Sequence, residues 1–310
     1  MNDKKTATVV VTYNRKELLL KNLKQQFIQD CPISYIFIID NCSTDGTYDY
    51  LSENGVFKDS RVKFIQLPEN MGGAGGFERG VNEAFATDAD YVILMDDDGY
   101  PINENTFSNL LKHIPDDNPL VMLNSLDICE DEHLSFSLGK YLMTKTDCEK
   151  EQKNGVILNL ITPFNGTLVS RALYEKIGAP YGQFFIRGDE VEYRARAFAA
   201  KAYVATVVDS LYFHPAPVKR EVKTFLGIRF LNTYDLPWKD YYNIRNTTFT
   251  IRKSSKLKAY LKFKKYMFGM MFFDIKDKKT LKKFVKLGYK DGKKGRLGKT
   301  IMPGQNTLKV

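Results

Sequence analysis

The sequence has 310 residues, 43% hydrophobic, 13% aromatic and 27% charged, with a formal net charge of +9. That composition excludes disordered, collagenous and low-complexity classes, and the length suffices for one large domain or two smaller ones. The charge is unevenly placed: residues 251–300 hold 18 Lys+Arg against 3 Asp+Glu, and the remainder 28 against 34. A mildly acidic body thus carries a strongly basic C-terminal region, and the two imply different partners. No apolar run approaches the roughly 18 residues of a spanning helix; the run 266–273 stops at Asp274. The start, MNDKKTATVV, enters a strand pattern directly and does not read as a signal peptide. Cys31, Cys42, Cys129 and Cys148 form no C-x-x-C pair, and are expected as free thiols in a reducing cytoplasm.

In chain order, the β-branched run 6–12 (TATVVVT) predicts a first strand. Asn14 with Glu17 three residues on then looks like a helix cap, and Leu20, Leu23 and Phe27 share one helical face. Residues 35–40 (YIFIID) predict a second strand, followed by turn chemistry in 41–46. A third strand covers 62–67, then a glycine-rich segment 68–76 and a helix through Ala86. A fourth, 91–95 (YVILM), ends in Asp96-Asp97-Asp98-Gly99. Near-continuous apolar strands separated by helices indicate an α/β fold with a mostly parallel sheet covered on both faces. Ligands bind such sheets at the carboxyl ends of the strands, so the polar clusters after them should converge. Residues 100–160 are less regular, with a strand near Val121 and a polar stretch from 127 to 154. Order returns at 156–164, in helices near 170–177 and after 184–193, and in a strand at 202–208. The composition turns aromatic and lysine-rich from about residue 217. The boundary is expected near 216–225, giving an α/β domain over 1–220 and a helical region over 221–310. No internal repeat is visible.

The aspartate triplet carries the most information. Alternation along an extended segment points Asp96 and Asp98 one way and Asp97 the other. Two carboxylates at the mouth of a sheet repel unless a cation lies between them, and Mg²⁺ or Mn²⁺ suits such oxygen sites and bridges phosphates. The bland alternative is an acidic turn in solvent. Gly72, Gly73, Gly75 and Gly76 allow close backbone approach to an anion, or simply a tight loop. Glu78 stands where G-x-G-x-x-G needs its last glycine, and no P-loop lysine follows, which disfavours nicotinamide-binding and ATPase sites. Asp189-Glu190 opens a helix, and serves either the helix dipole or as a general base. His214 is either a third metal ligand or a structural histidine.

Together these motifs resemble the inverting family 2 glycosyltransferases with a GT-A fold. They occur in the family's order: VVVTYNR (9–15), IIDNCSTDGT (38–47), PENMGGAGGFERG (68–80), MDDDG (95–99), FIRGDEVEYR (185–194) and FHP (213–215). The N-x-G-G-x-G-G-F and D-D-D clusters look like bacterial galactofuranosyltransferases and related rhamnosyltransferases, as do WKDYYNIRN (238–246) and DGKKGRLG (291–298). The resemblance implies a Rossmann-like GT-A sheet with helices on both faces, plus a small helical basic C-terminal region. It implies that Thr12, Tyr13 and Arg15 contact the nucleotide and that Asp40 bonds the base. Asn70, Gly72 and Gly73 would line the nucleotide-sugar side, with Arg79 near the diphosphate and Asp97 reaching the donor sugar. Asp96, Asp98 and His214 would hold Mn²⁺ or Mg²⁺, Glu190 would be the base, and Asp189 would bind acceptor hydroxyls. Gly188 departs from close relatives, which often place tryptophan before the acidic pair.

The expected partners are a nucleotide-sugar donor and a saccharide or polyprenyl-linked saccharide acceptor in cell-surface polysaccharide synthesis. UDP-galactofuranose is the first donor candidate and dTDP-rhamnose the second. A sugar nucleotidyltransferase would carry a glycine-rich, arginine-bearing loop after its first strand, and a non-catalytic module would be expected to lose an acid pair. In the basic region Lys258, Lys262 and Lys265 share one helical face, and Tyr260, Phe263, Met267 and Met270 another. That pattern suits an interfacial helix on an anionic membrane, or a helix packing on the catalytic domain or a second subunit as a homo-oligomer. No nucleic-acid recognition module accompanies it. The expected location is the cytoplasm, peripherally attached to the inner face of the plasma membrane.

Overall fold

The computed structural model describes residues 4–129, 131–139, 141–162, 164–216, 221–305 and 307–308. Residues 217–220, within the expected boundary, and Pro163, within the expected ordered run 156–164, lie outside them. The chain forms two compact units, Met1–Pro180 with Tyr193–Pro217, and Tyr181–Glu192 with Val218–Val310.

The first unit opens with β1 (Thr6–Thr12), α1 (Lys16–Phe27), β2 (Ile33–Asp40), α2 (Thr47–Glu53), β3 (Val62–Gln66), α3 (Gly72–Ala86) and β4 (Tyr91–Asp96). The four strands pair in parallel in the order β3-β2-β1-β4. Every β1 residue is buried because helices cover both faces. Val9 and Val11 pack in one apolar cluster with Phe77 and Val81 of α3, while Val10 packs with Leu19, Leu20 and Leu23 of α1. The register sets Thr12 opposite Asp40, Asp40 opposite Gln66, and Val11 opposite Asp96. The carboxyl ends of the strands therefore lie side by side.

Two local expectations change. Asn14 does not cap α1, whose N-cap is Arg15 with no side-chain cap bond. Asn14 sits at φ +54° instead, and its Oδ1 accepts from the Thr44 N–H at 2.7 Å, tying the loop after β1 to the loop after β2. The glycine-rich segment is largely helix rather than loop. A Cβ on Gly76 would lie 2.4 Å from Val11, and one on Gly80 2.3 Å from Val9. These two glycines let α3 lie directly on β1.

The unit continues with β5 (Tyr100–Pro101), α4 (Thr106–Lys112), β6 (Val121–Ile128), β7 (His133–Leu138), β8 (Leu142–Thr144) and α5 (Lys145–Glu151). After these come β9 (Val156–Leu158), β10 (Thr167–Ser170), α6 (Arg171–Ile177), the part of α7 (Asp189–Ala199) from Tyr193 onward, and β11 (Tyr203–Phe213), the start of α7 belonging to the second unit. β10 joins β4 to β6 antiparallel to both, and β11 runs parallel to β6, so the full sheet is mixed. The polar stretch 127–154 is more ordered than its composition suggests. Leu134 and Leu138 are buried among serines that hide the strand pattern, and Thr144 with Asp147 forms a capping box for α5.

The second unit holds a hairpin, β12 (Val222–Phe225) and β13 (Ile228–Leu231), then α8 (Pro237–Arg252), α9 (Lys256–Gly269) and α10 (Lys278–Lys294). Close approach of α8 and α10 rests on two glycines. A Cβ on Gly288 would meet the Tyr241 carbonyl oxygen at 2.5 Å, and one on Gly292 that of Arg245 at 2.3 Å.

Gly80→Val is expected to force α3 off β1 and lower stability by ~1–3 kcal/mol in urea unfolding. An unchanged midpoint would mean that the contact relaxes without cost.

Candidate active site

The strand ends build the site. β4 stops at Asp96 and the chain turns at Asp97 and Asp98, so the alternation expected across the triplet ends there. Asp97 is buried and accepts from Thr12 Oγ1 at 2.8 Å. One guanidinium nitrogen of Arg15 donates to Asp97 Oδ1 at 3.1 Å and to Asp98 Oδ2 at 2.8 Å, so Asp97 and Asp98 face the same cation. Burial pushes the Asp97 carboxyl above the usual carboxylate range, against the opposing pull of Arg15 and Thr12.

A buried polar chain that the sequence did not reveal supports this turn. Thr8 Oγ1 donates to Gln26, Gln26 Nε2 to Asn22, and Asn22 Nδ2 to the Gly99 carbonyl at 2.6 Å. Asn22 and Gln26 are on α1's buried face, where a periodicity search registers only the leucines. Gly99 must be glycine, because a Cβ there would meet the Tyr212 ring at 2.5 Å and the Phe213 carbonyl at 2.8 Å. That close approach, with the pairing of Phe213 to Tyr100, brings the residue after β11 to the triplet.

That residue is His214, whose Nε2 lies 3.6 Å from Asp98 Oδ1. Its Nδ1 is 3.0 Å from the Pro215 carbonyl, which can only accept, so Nδ1 carries the hydrogen. In the neutral ring the Nε2 lone pair then faces a carboxylate oxygen, an arrangement that favours a cation beside them. The backbone N–H of His214 bonds to Ile128, its carbonyl accepts from Ser135, and Phe136 packs on the ring. This donor pair fits a divalent ion. Asp96 does not complete a trio, since no group of three potential ligands forms among the described residues.

The other expected contacts divide. Asp40 is buried and accepts from the Ser43 N–H and from Gln66, which fixes the turn after β2. Tyr13 stands half-exposed just beyond β1, an open ring suited to stacking. Asn70 Oδ1 accepts from the Gly72 N–H at 2.8 Å, Gly72 has φ +73°, and a Cβ on Gly73 would meet open space. The first turn of α3 is therefore accessible to an anion. Arg79 is not joined to the triplet by any hydrogen bond or ion pair among the described residues. It pairs along α3 with Glu83 at 2.7 Å.

In the second unit, Asp189 is buried and Glu190 Oε2 accepts from the Gly188 N–H at 3.0 Å. The run before them is strained: Phe185, Arg187 and Gly188 have φ of +65°, +66° and +86°. The Ile186 N–H closes a γ-turn onto the Phe184 carbonyl. Two α8 residues hold this run. Asn246 Nδ2 lies within 3.0 Å of the carbonyls of Phe184, Ile186 and Arg187, and fully buried Arg245 donates to those of Gln183, Phe184 and Gly298. Tyr241 continues the support, donating to Asp291 Oδ2 at 2.9 Å. WKDYYNIRN and DGKKG are thus the clamp under the acidic pair, a role their spacing did not disclose. Glu192 is a third buried acid, neutralised by Lys253 at 3.0 Å.

A Rossmann-like sheet with carboxylates and a histidine at its strand ends defines a GT-A glycosyltransferase. Residues 8–178 match the domain described as glycosyl transferase family 2, and the chain belongs to that family. It is 29% identical over 250 residues to galactofuranosyltransferase GlfT1 of Mycolicibacterium smegmatis, covering 77% of this chain and 80% of that protein. It is 29% identical over 290 residues to GlfT1 of Mycobacterium tuberculosis, covering 90% and 92%. Among solved structures it resembles mannosyltransferase PcManGT of Pyrobaculum calidifontis in complex with GDP-Man and Mn²⁺. That match has TM-score 0.53 and 15% identity, over 80% of this chain and 63% of that one. S. aureus TarS in complex with UDP-GlcNAc gives 0.54 at 17% identity, over 82% and 69%. GalNAc-T7 with UDP, GalNAc and Mn²⁺ gives 0.60 at 14% identity, over 94% and 56%. These structural likenesses bear on the fold alone, and no helix among the described residues is long and apolar enough to cross a membrane.

One further carboxyl near the site is unusual. Asp127 of β6 is buried opposite Tyr212, bonded through Oδ2 to Thr162, while its Oδ1 has no hydrogen-bond partner among the described residues. Burial raises its pKa well above the ordinary value. The folded state therefore holds this proton more tightly than the unfolded one, and stability falls as pH rises above about 4. Asp127→Asn should be more stable than wild type at pH 8, with the advantage shrinking toward pH 4; a pH-independent difference in urea midpoint would contradict this.

Asn246→Ala should lower stability by ~1–3 kcal/mol and raise amide exchange at Ile186 and Gly188. Unchanged exchange at both would show that the strained run holds itself.

Proposed function

We propose that this glycosyltransferase transfers galactofuranose from UDP-galactofuranose to a saccharide or polyprenyl-linked saccharide, inverting the anomeric centre. The observation that carries a nucleotide-sugar reaction is the Asp98–His214 pair, 3.6 Å apart beside the Arg15-bound triplet at the strand ends. The likeness to GlfT1 over 90% of the chain supports the donor. Asp98 and His214 would hold Mn²⁺ or Mg²⁺, with Asp96 following at the end of β4. When bound, that ion supplies electrophilic stabilisation of the departing nucleoside diphosphate.

The chain's own residues do the remainder. Thr12 and Arg15 hold Asp97 and Asp98 in place, so the carboxylates need no reorganisation when donor arrives. Tyr13 stacks on the base, Asp40 reads its edge, and Asn70 with Gly72 and Gly73 receives the sugar diphosphate. Arg79 reaches the diphosphate on exchanging its Glu83 partner. Asp97, held in place by Thr12 and Arg15, contacts the donor sugar without moving. Asp189 binds acceptor hydroxyls, and Glu190 takes the proton of the attacking hydroxyl. Its Oε2 is anchored by the Gly188 N–H, so the proton goes to Oε1. The basic region 221–310 attaches the enzyme peripherally to the inner face of the plasma membrane, where a polyprenyl-linked acceptor resides.

The experiment is a donor screen reading release of UDP or dTDP with Mn²⁺ present. UDP release from UDP-galactofuranose, abolished by EDTA and by Asp98→Ala, is the expected result. Release from dTDP-rhamnose alone would reassign the donor, and indifference to EDTA would remove the metal. Glu190→Gln should cut turnover by ~10²–10⁴-fold while UDP binding by calorimetry is unchanged; wild-type turnover would remove Glu190 as the base.

A further inference from the structure

Of the apolar residues that the amphipathic pattern offers to a membrane, Tyr260 stays exposed but the others pack inward. Phe263 and Met267 of α9, Met270 just beyond it, and Leu281 and Val285 of α10 pack in one cluster with Ile244 of α8, and Phe284 packs with Tyr241 and Tyr242. A different apolar surface faces solvent. Half of the large apolar side chains exposed among the described residues lie between Val222 and Met271.

This surface has two parts. On α9, Leu257, Leu261 and Phe268 form a stripe opposite the packed face, with Leu257 66% and Leu261 55% exposed. Beside its end stands the β12–β13 hairpin, whose turn residues Leu226 and Gly227 both have positive φ. Leu226 is 84% exposed at the tip, and Phe225 and Ile228 flank it, also exposed. The hairpin is braced rather than loose: Phe225 and Phe230 pack their rings on Phe268 and Phe272. Lys223 lies over Phe273 and Lys265 over Phe230, so cations surround the apolar tip. Residues 254–273 contain five lysines and no acid.

We propose that the hairpin tip and the outer stripe of α9 form a membrane-docking surface that inserts Leu226, Phe225 and Ile228 into an anionic bilayer. This rests on the peripheral attachment proposed above and assigns it to named residues. Charge decides the occupant. A second copy of this chain would set lysines against lysines, whereas an anionic headgroup layer neutralises them while the acyl boundary receives the apolar tip. A braced hairpin presents that tip without first paying to order it.

The test uses the full chain and co-sedimentation with vesicles of phosphatidylglycerol and phosphatidylcholine, and of phosphatidylcholine alone. Wild type is expected to bind the anionic vesicles only. Leu226→Glu with Ile228→Glu should weaken that binding by at least about tenfold, with unfolding midpoint and turnover on soluble acceptor unchanged. Leu257→Glu with Leu261→Glu tests the stripe in the same way. As a positive readout, Leu226→Trp should blue-shift on anionic vesicles against the constant background of buried Trp238. Equal binding by wild type and both Glu pairs would overturn the assignment while leaving peripheral attachment standing. Failure of wild type to bind any vesicle would remove attachment and the docking surface together. Concentration-dependent self-association, abolished by the tip variant and unaffected by vesicles, would make a second copy the occupant and overturn the proposal.

Discussion

Three consecutive carboxylates at the end of a buried strand must be neutralised or they push the strand end apart. Arg15 does this for Asp97 and Asp98, with Thr12 adding a hydrogen bond to Asp97. Much of the first unit serves that arrangement. Parallel register sets Thr12 opposite Asp40 and Val11 opposite Asp96, and the Thr8–Gln26–Asn22 chain fixes the backbone beyond the triplet. Gly99 admits the end of β11, which delivers His214. His214 Nε2 then stands 3.6 Å from Asp98 Oδ1, the contact on which the proposed metal site rests.

The second unit meets a different problem with a similar device. The segment before Asp189 and Glu190 adopts positive φ at two non-glycine residues, which costs free energy. Asn246 and Arg245 hold it by filling five carbonyl contacts from one helix. Such over-determination fixes the backbone from which Asp189 and Glu190 project. The tightness of α8 against α10, set by Gly288 and Gly292, is the foundation of that clamp.

Much of this was legible in the sequence, and the misses have a common cause. The β-branched runs announced β1 to β4 because strands buried on both faces need continuous apolar residues. The same logic failed for 127–154, where β7 is only partly buried and serine interrupts its pattern. Asn22, Gln26, Asn246 and Asp127 were passed over because a buried polar residue looks like any surface residue until its partner is known. For the basic region, periodicity correctly found amphipathic helices but could not say which face would be packed. Phe263 and Met267 went inward, leaving Leu257, Leu261 and the hairpin tip outside.

The sequence alone determined the class of fold, the order of its motifs and the residue types able to bind a nucleotide sugar. These depend on local propensity, on periodicity and on side-chain chemistry, all of which are written along the chain. Only the tertiary structure decided that Arg15 grips Asp97 and Asp98 together, that His214 stands beside Asp98, and that α8 clamps the run before the acidic pair. Those relations join residues up to about a hundred or more positions apart, and strand register and helix packing, not spacing in the chain, set who meets whom.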